Sequence, residues 1–194
     1  MKEEKKQQRP SVKELEGELQ RVKYRSRYGR VLRSTVYALI TVAAAAVLVA
    51  TLWLPVLQIY GASMTPTLED GQIVFSIKNQ KLEPGDIIAF YYNNKILIKR
   101  VIAKGGDWVN MDREGNVFVN NILLEEPYLD GKAYGDSDLE YPYQVPDGKI
   151  FVMGDHRATS ADSRHTAVGC IGNDQIVGKI LFRVWPLEQF GPIS

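Results

Sequence analysis

The sequence predicts a mainly β protein in which a single N-terminal transmembrane helix precedes one antiparallel β-rich domain. Three observations predict this fold class. No charged residue occurs between Arg33 and Glu69, a stretch that holds the apolar run STVYALITVAAAAVLVATLWLP. Beyond Gly61 the sequence changes to short apolar runs with a period of two, which is typical of strands. The chain of 194 residues is long enough for one domain and one short further element.

The first element is a basic segment. Residues 1–33 hold eleven Lys or Arg against five Asp or Glu, a net charge of +6, whereas residues 34–194 carry −5. Ser11 and Glu14 fit a capping box, and apolar residues follow at helical spacing, which predicts a short amphipathic helix. This helix lies either on anionic lipid or in solvent on the cytoplasmic side.

The second element is a transmembrane helix over residues 34–56. It has the ~20 apolar residues that are needed to cross a bilayer core. The basic flank predicts a cytoplasmic N-terminus in the plasma membrane and an extracytoplasmic domain over residues 57–194. Trp53 and Tyr60 suit the far interface. The alternatives are a cleaved secretory signal, whose apolar core spans only ~7–15 residues, and a buried core helix.

The third element is the outer domain, and six apolar runs within it predict strands. They are QIVFSI, DIIAFYY, KILIKRVIA, NVFVNNILL, KIFVMGD and IVGKILFRV. Asn120-Asn121 predicts a hairpin turn, and residues 125–146 predict an irregular loop. Cys170 is the single cysteine, so the domain has no internal disulfide, and its apolar neighbours favour a packing role.

Ser63 is the candidate nucleophile, and it needs a base to take its proton. His156 follows Asp155, but neighbours on an extended chain point to opposite sides, which disfavours a triad. Lys99 lies among apolar residues, and on a strand it shares a face with Leu97. Loss of solvation lowers the pKa of such a lysine and makes it a usable base. The alternative is a lysine that extends its amine to solvent.

The sequence around these two residues resembles the bacterial type I (leader) signal peptidases, which are membrane-anchored Ser–Lys endopeptidases. The resemblance runs from the apolar segment to the C-terminus, and four boxes carry it in the same order. The boxes are Ser63-Met-Thr-Pro-Thr-Leu68, Gly85-Asp-Ile-Ile-Ala-Phe90, Lys99-Arg-Val-Ile-Ala-Lys-Gly-Gly-Asp107 and Gly154-Asp-His-Arg-Ala-Thr-Ser-Ala-Asp-Ser-Arg164. The fold that it implies is a signal-peptidase-like catalytic domain.

The resemblance also implies a role for each matching residue. Ser63 would be the nucleophile and Lys99 its general base. Ser160 would bind and orient the lysine amine. The remaining supporting residues are an ion pair, Asp162 and Arg164, and two residues that shape the loop, Gly154 and Asp155.

Two departures from the family pattern concern the details of the site. Gly61 stands where a serine often donates to the oxyanion, so the oxyanion hole must rely on backbone N–H groups or another donor. His156 stands where asparagine is common. Neither departure affects the pairing of serine with lysine.

The implied substrates are exported preproteins, bound as an added strand and cut after small-x-small sites. The candidate substrate-binding residues, which are also ordinary core residues, are Gly61, Met64, Leu68, Val74, Leu97 and Ile98. Membrane lipid is the other expected partner. No metal or cofactor is expected, because no residue cluster has metal-ligand spacing, and the net charge of +1 gives no basis for nucleic-acid binding.

Two alternative functions remain at this point. One is a membrane-anchored β module that binds peptides without catalysis. The other is a self-cleaving repressor-type peptidase with a Ser–Lys dyad, although such proteins carry a DNA-binding domain where this chain has an apolar span. A related enzyme with histidine as the base is disfavoured by Lys99.

Overall fold

The computed structural model describes residues 12–53, 55–78 and 81–193. The chain divides into two compact units, residues 1–49 and residues 50–194. The capping-box residue Ser11 and residues 1–10 of the predicted basic segment lie outside the described residues, and so does the side chain of Trp53.

The described part of the first unit is helical. Its helix, α1, covers Val12–Trp53, so its last four residues belong to the second unit. The predicted short basic helix and the predicted apolar helix are therefore continuous. Arg27–Leu48 has a mean hydropathy of 1.9 and is long enough to cross a membrane. The predicted N-terminal apolar helix is confirmed, but α1 ends before residue 56, which belongs to the first strand.

The described residues of the second unit form twelve strands, and all of their pairings are antiparallel. The strands are β1 Val56–Gln58, β2 Ile73–Ile77, β3 Ile87–Tyr92, β4 Lys95–Lys104, β5 Trp108–Met111, β6 Val117–Val119, β7 Ile122–Leu123, β8 Tyr143–Gln144, β9 Lys149–Met153, β10 Ile171–Gly172, β11 Ile176–Trp185 and β12 Gly191–Pro192. Two short 3₁₀ helices cover Asn173–Gln175 and Leu187–Gln189.

Two sheets result. The larger has the order β1-β2-β11-β3-β4-β9-β10, with β12 paired to β11, and the smaller has the order β7-β6-β5-β8. Asn93-Asn94 and Asn120-Asn121 form the tight turns of two hairpins, and all four asparagines have φ between 46° and 65°. Asparagine tolerates this left-handed region, which confirms the predicted hairpin at Asn120-Asn121.

Buried apolar side chains of this unit form three clusters among the described residues. One cluster packs Met64, Leu68 and Val74 against residues of β3 and β11. Cys170 is only 9% exposed and belongs to another cluster, which confirms its packing role. Residues 125–146 form the predicted irregular loop apart from the two residues of β8.

Candidate active site

The Ser63 hydroxyl and the Lys99 amine lie in hydrogen-bond contact, with 2.8 Å between Nζ and Oγ. Ser63 lies in a turn segment between β1 and β2, and Lys99 lies on β4. β4 pairs with β3 on one side and β9 on the other, and it is buried on both faces at its centre. Lys99 is consequently only 2% exposed, so it does not extend its amine to solvent.

The nucleophile segment is held in place by its own neighbours. Met64 and Leu68 are buried in the core, and the carbonyl of Ser63 accepts a hydrogen bond from the backbone N–H of His156 at 3.1 Å. A guanidinium N–H of Arg183 donates to the Thr67 carbonyl at 2.6 Å. Ser63 is half-buried within consecutive turns, because the buried side chains of Met64 and Leu68 hold the segment against the domain.

Burial lowers the pKa of the Lys99 amine from its ordinary value of 10.5 to about 8. The negative charges of Asp162 and Asp155 act in the opposite direction, and the positive charge of Arg164 adds to the lowering. The amine also donates to the carbonyl of Ile98 at 3.0 Å. A neutral amine can make this bond while its lone pair accepts the Ser63 hydroxyl proton.

Asp162 and Arg164 form the buried ion pair that the resemblance implied, with 2.8 Å between Nε and Oδ1. The second carboxylate oxygen accepts the backbone N–H of Gly154 at 2.9 Å. Burial raises the pKa of the Asp162 carboxyl, but the hydrogen bonds and charge of Arg164 outweigh burial and hold that pKa below its usual value. The pair therefore fixes the loop after β9, because the Asp162 carboxylate binds both the Arg164 guanidinium and the Gly154 backbone.

Gly154 lies where this loop passes the nucleophile. A Cβ at this position would fall 2.1 Å from the Ser160 Oγ and 2.5 Å from the Ser63 carbonyl oxygen, so only glycine allows the approach. Ser160 is buried beside it, but its hydroxyl lacks a partner of good hydrogen-bond geometry among the described residues. The predicted bond from Ser160 to Lys99 is not formed in this structure, where the amine bonds Ser63 and Ile98 instead.

The Asp155 carboxylate binds an arginine of β4 rather than a histidine, and it thereby links the loop to that strand. Its carboxylate binds the Arg100 guanidinium at 2.8 and 3.0 Å and accepts the Thr67 hydroxyl at 2.5 Å. His156 Nδ1 bonds Thr159 in the same loop, which agrees with the expectation against a triad.

Sequence reasoning missed a third buried ion pair, which involves an arginine of the loop after β9. The guanidinium of Arg157 binds the carboxylate of Glu126, and both side chains are almost fully buried. Arg100 also lies over the ring of Tyr128, 3.9 Å from its centre. The predicted irregular loop at residues 125–146 thus supplies partners for three arginines of the site, since the Tyr134 carbonyl also accepts an N–H of Arg164. No local sequence pattern predicts these partners, because they lie far along the chain from the arginines that they bind.

The predicted substrate-binding residues divide into two groups. Met64, Leu68 and Val74 are at most 2% exposed and belong to the core, so they offer little surface to a ligand. The others, Gly61, Leu97 and Ile98, are at least partly accessible. Gly61 has φ of +84°, and its N–H donates to the Asp70 carboxylate at 2.6 Å.

Comparison with known proteins gives a consistent result. The family described as signal peptidase, peptidase S26, matches residues 32–185. A signal peptidase I of Bacillus caldolyticus is 41% identical over 161 residues, which cover 73% of this chain and 87% of that protein. A signal peptidase IB of Staphylococcus aureus is 39% identical over 152 residues, which cover 68% of this chain and 78% of that protein.

Among solved structures, a signal peptidase I from Enterococcus faecalis is 28% identical, with a TM-score of 0.44, and the match covers 52% of this chain and 97% of that one. The family match extends over more than half of the sequence and two relatives are close to 40% identical. This chain therefore belongs to the signal peptidase family, peptidase S26.

Proposed function

We propose that Ser63 and Lys99 are the nucleophile and the general base of this signal-peptide-removing endopeptidase. The observation that carries the proposal is the 2.8 Å contact between a hydroxyl and a lysine amine that is 2% exposed. The position of each residue within its matching box supports the same roles. Burial favours the neutral amine, and only the neutral amine can accept a proton.

The reaction would proceed in two stages. Lys99 takes the Ser63 proton as Oγ attacks the carbonyl carbon of the scissile bond, and the lysinium then protonates the leaving amine. In the second stage, Lys99 deprotonates a water molecule, which attacks the carbonyl carbon of the acyl-enzyme. The bond from that carbon to Ser63 Oγ then breaks, the lysinium returns its proton to Oγ, and the product leaves with a new carboxyl group. The Ile98 carbonyl binds one amine N–H, which leaves the lone pair of the neutral amine free to face the hydroxyl.

The supporting residues hold this geometry. Asp162 and Arg164 fix the loop that passes the dyad, and Gly154 allows the loop to approach it. Asp155 fixes the loop to the strand that carries the base. Ser160 would bind the lysine amine after rotation of its hydroxyl, a role that its burial beside Gly154 supports.

The substrates are proposed to be exported preproteins that lie as an added strand beside Gly61 and the accessible part of β4 at Leu97 and Ile98. The family is membrane-anchored, and we propose that the apolar part of α1 is the anchor. The basic residues before it favour a cytoplasmic N-terminus and an extracytoplasmic domain from residue 57 onward.

Cleavage of a leader peptide with an Ala-x-Ala site by the full chain in neutral detergent tests the dyad. Ser63→Ala and Lys99→Ala should each abolish cleavage while circular dichroism shows a folded β domain. Lys99→Arg should be equally inactive, because a guanidinium stays protonated. His156→Ala is the matched control and should retain activity. Cleavage by either alanine variant of the dyad would end the proposal.

A further inference from the structure

A large groove of about 1040 Å³ lies on the β domain away from the described dyad. It crosses the larger sheet, since its lining comes from β1, β2, β3, β4, β9 and β11. Five lysines line it, namely Lys78, Lys81, Lys104, Lys149 and Lys179. Neither Ser63 nor Lys99 belongs to the lining.

The groove is positively charged although the domain that contains it is acidic as a whole. Residues 34–194 contain thirteen Lys or Arg and carry a net charge of −5, yet five of these basic residues share one groove. Glu83 binds Lys81 and Lys104, and Asp86 binds Lys179. Two carboxylates against five ammonium groups leave the groove with a net charge of +3.

Lys78 and Lys149 supply the charge that is available to a ligand. Both side chains belong to exposed residues, and within the described ranges neither has a carboxylate oxygen within 4.0 Å of its amine. Apolar side chains lie between the lysines, including Leu57, Tyr91 and Ile96, and the last two are 57% and 40% exposed. Ammonium groups around an apolar floor suit a ligand with an anionic head and an apolar body.

The path of the chain identifies the source of such a ligand. Pro55 and Leu57 line the groove, and Pro55 is also the last residue of the uncharged apolar run that begins at Ser34. If this run lies in the bilayer, the chain reaches the lining of the groove at the same residue at which it leaves the membrane.

We infer that this groove binds the headgroups of anionic phospholipids at the membrane surface, an inference that rests on the proposed membrane anchoring. The lysines engage the phosphate, and the apolar floor covers the glycerol and upper acyl carbons. Each bound lipid gives the β domain a second attachment besides the helix.

Titration of the full chain in neutral detergent with fluorescent phosphatidylglycerol, followed by anisotropy, tests the inference. The Lys78→Gln/Lys149→Gln variant should bind about 30-fold more weakly, because a lysine near an anionic surface contributes roughly 1 kcal/mol. The control Arg113→Gln/Lys132→Gln removes two exposed charges near the smaller sheet and should keep the wild-type affinity. Phosphatidylcholine and millimolar inorganic phosphate should not compete.

Equal losses in both variants would overturn the inference, since binding would then report overall charge. Competition by a polyglutamate peptide as strong as that by phosphatidylglycerol would assign the groove to an acidic polypeptide instead. The readout is independent of catalysis, and Ser63→Ala should bind lipid as the wild type does. A wild-type chain that binds lipid selectively but fails to cut the leader peptide would refute the dyad and leave the groove standing.

Discussion

Replacement of the buried base by an apolar side chain should change the stability of the protein in a pH-dependent way. The pKa of Lys99 is about 8 in the folded state against 10.5 ordinarily. Such a difference makes the buried amine destabilising by about 3 kcal/mol below pH 8. The penalty is fully present below the folded pKa and fades as the pH rises toward the unfolded pKa, because the unfolded chain then also loses its proton.

Lys99→Met removes this penalty and also two hydrogen bonds, those to Ser63 and Ile98. The lost bonds each reduce stability by about 1 kcal/mol at any pH in this range. The test therefore depends on how the difference in unfolding free energy between the wild type and the variant changes with pH. Relative to the variant, the wild type should gain about 1.3 kcal/mol of unfolding free energy between pH 7 and pH 9.

Urea unfolding of the full chain in neutral detergent, followed by tryptophan fluorescence, measures this difference at both pH values. Lys95→Met is the matched control, because Lys95 lies exposed at the start of the same strand and loses little solvation on folding. A wild-type-to-variant difference that stays constant from pH 7 to pH 9 would refute the claim that Lys99 is buried in its neutral form.

The same geometry yields three further predictions. The kcat/KM for a leader peptide should rise about 50-fold between pH 6 and pH 8 as Lys99 loses its proton, and a profile that falls over this range would contradict a neutral base. Gly154→Ala should lower kcat/KM by about a hundredfold, because the new Cβ would meet the Ser160 Oγ at 2.1 Å and displace the loop. Asp155→Asn should lower the free energy of unfolding by about 3–5 kcal/mol, since the buried Arg100 charge loses its partner, and urea unfolding within 1 kcal/mol of wild type would contradict this.

The strands were predictable where apolar and polar residues alternate along the sequence. All six apolar runs contain a strand, because alternation and β-branched residues favour strands wherever a sheet covers them. The short strands β1, β8, β10 and β12 have two or three residues each, too few for a period to appear. They exist because longer neighbours offer free backbone groups for pairing.

The chemistry of the site was predictable in its residue types and less so in its contacts. Apolar neighbours correctly indicated a desolvated Lys99, but alternation alone left its amine free to reach solvent, and burial on both faces of β4 decides the question. Met64 and Leu68 lie in the first matching box and were predicted to bind substrate, yet both belong to the core. Their side chains hold the nucleophile segment, a role that spacing in sequence does not separate from contact with a ligand.

The arrangement of charge around the base explains why an arginine follows the lysine on β4. Asp162 and Asp155 both raise the pKa of Lys99, although burial lowers it by more. Neither carboxylate lies unpaired beside the amine. Each carboxylate is instead bound by a buried arginine, Asp162 by Arg164 and Asp155 by Arg100. Consecutive residues of a strand point to opposite faces, so β4 presents a titrating amine on one face and a permanent cation on the other. Desolvation can therefore set the pKa of the amine, while the same two carboxylates hold the loop beside it.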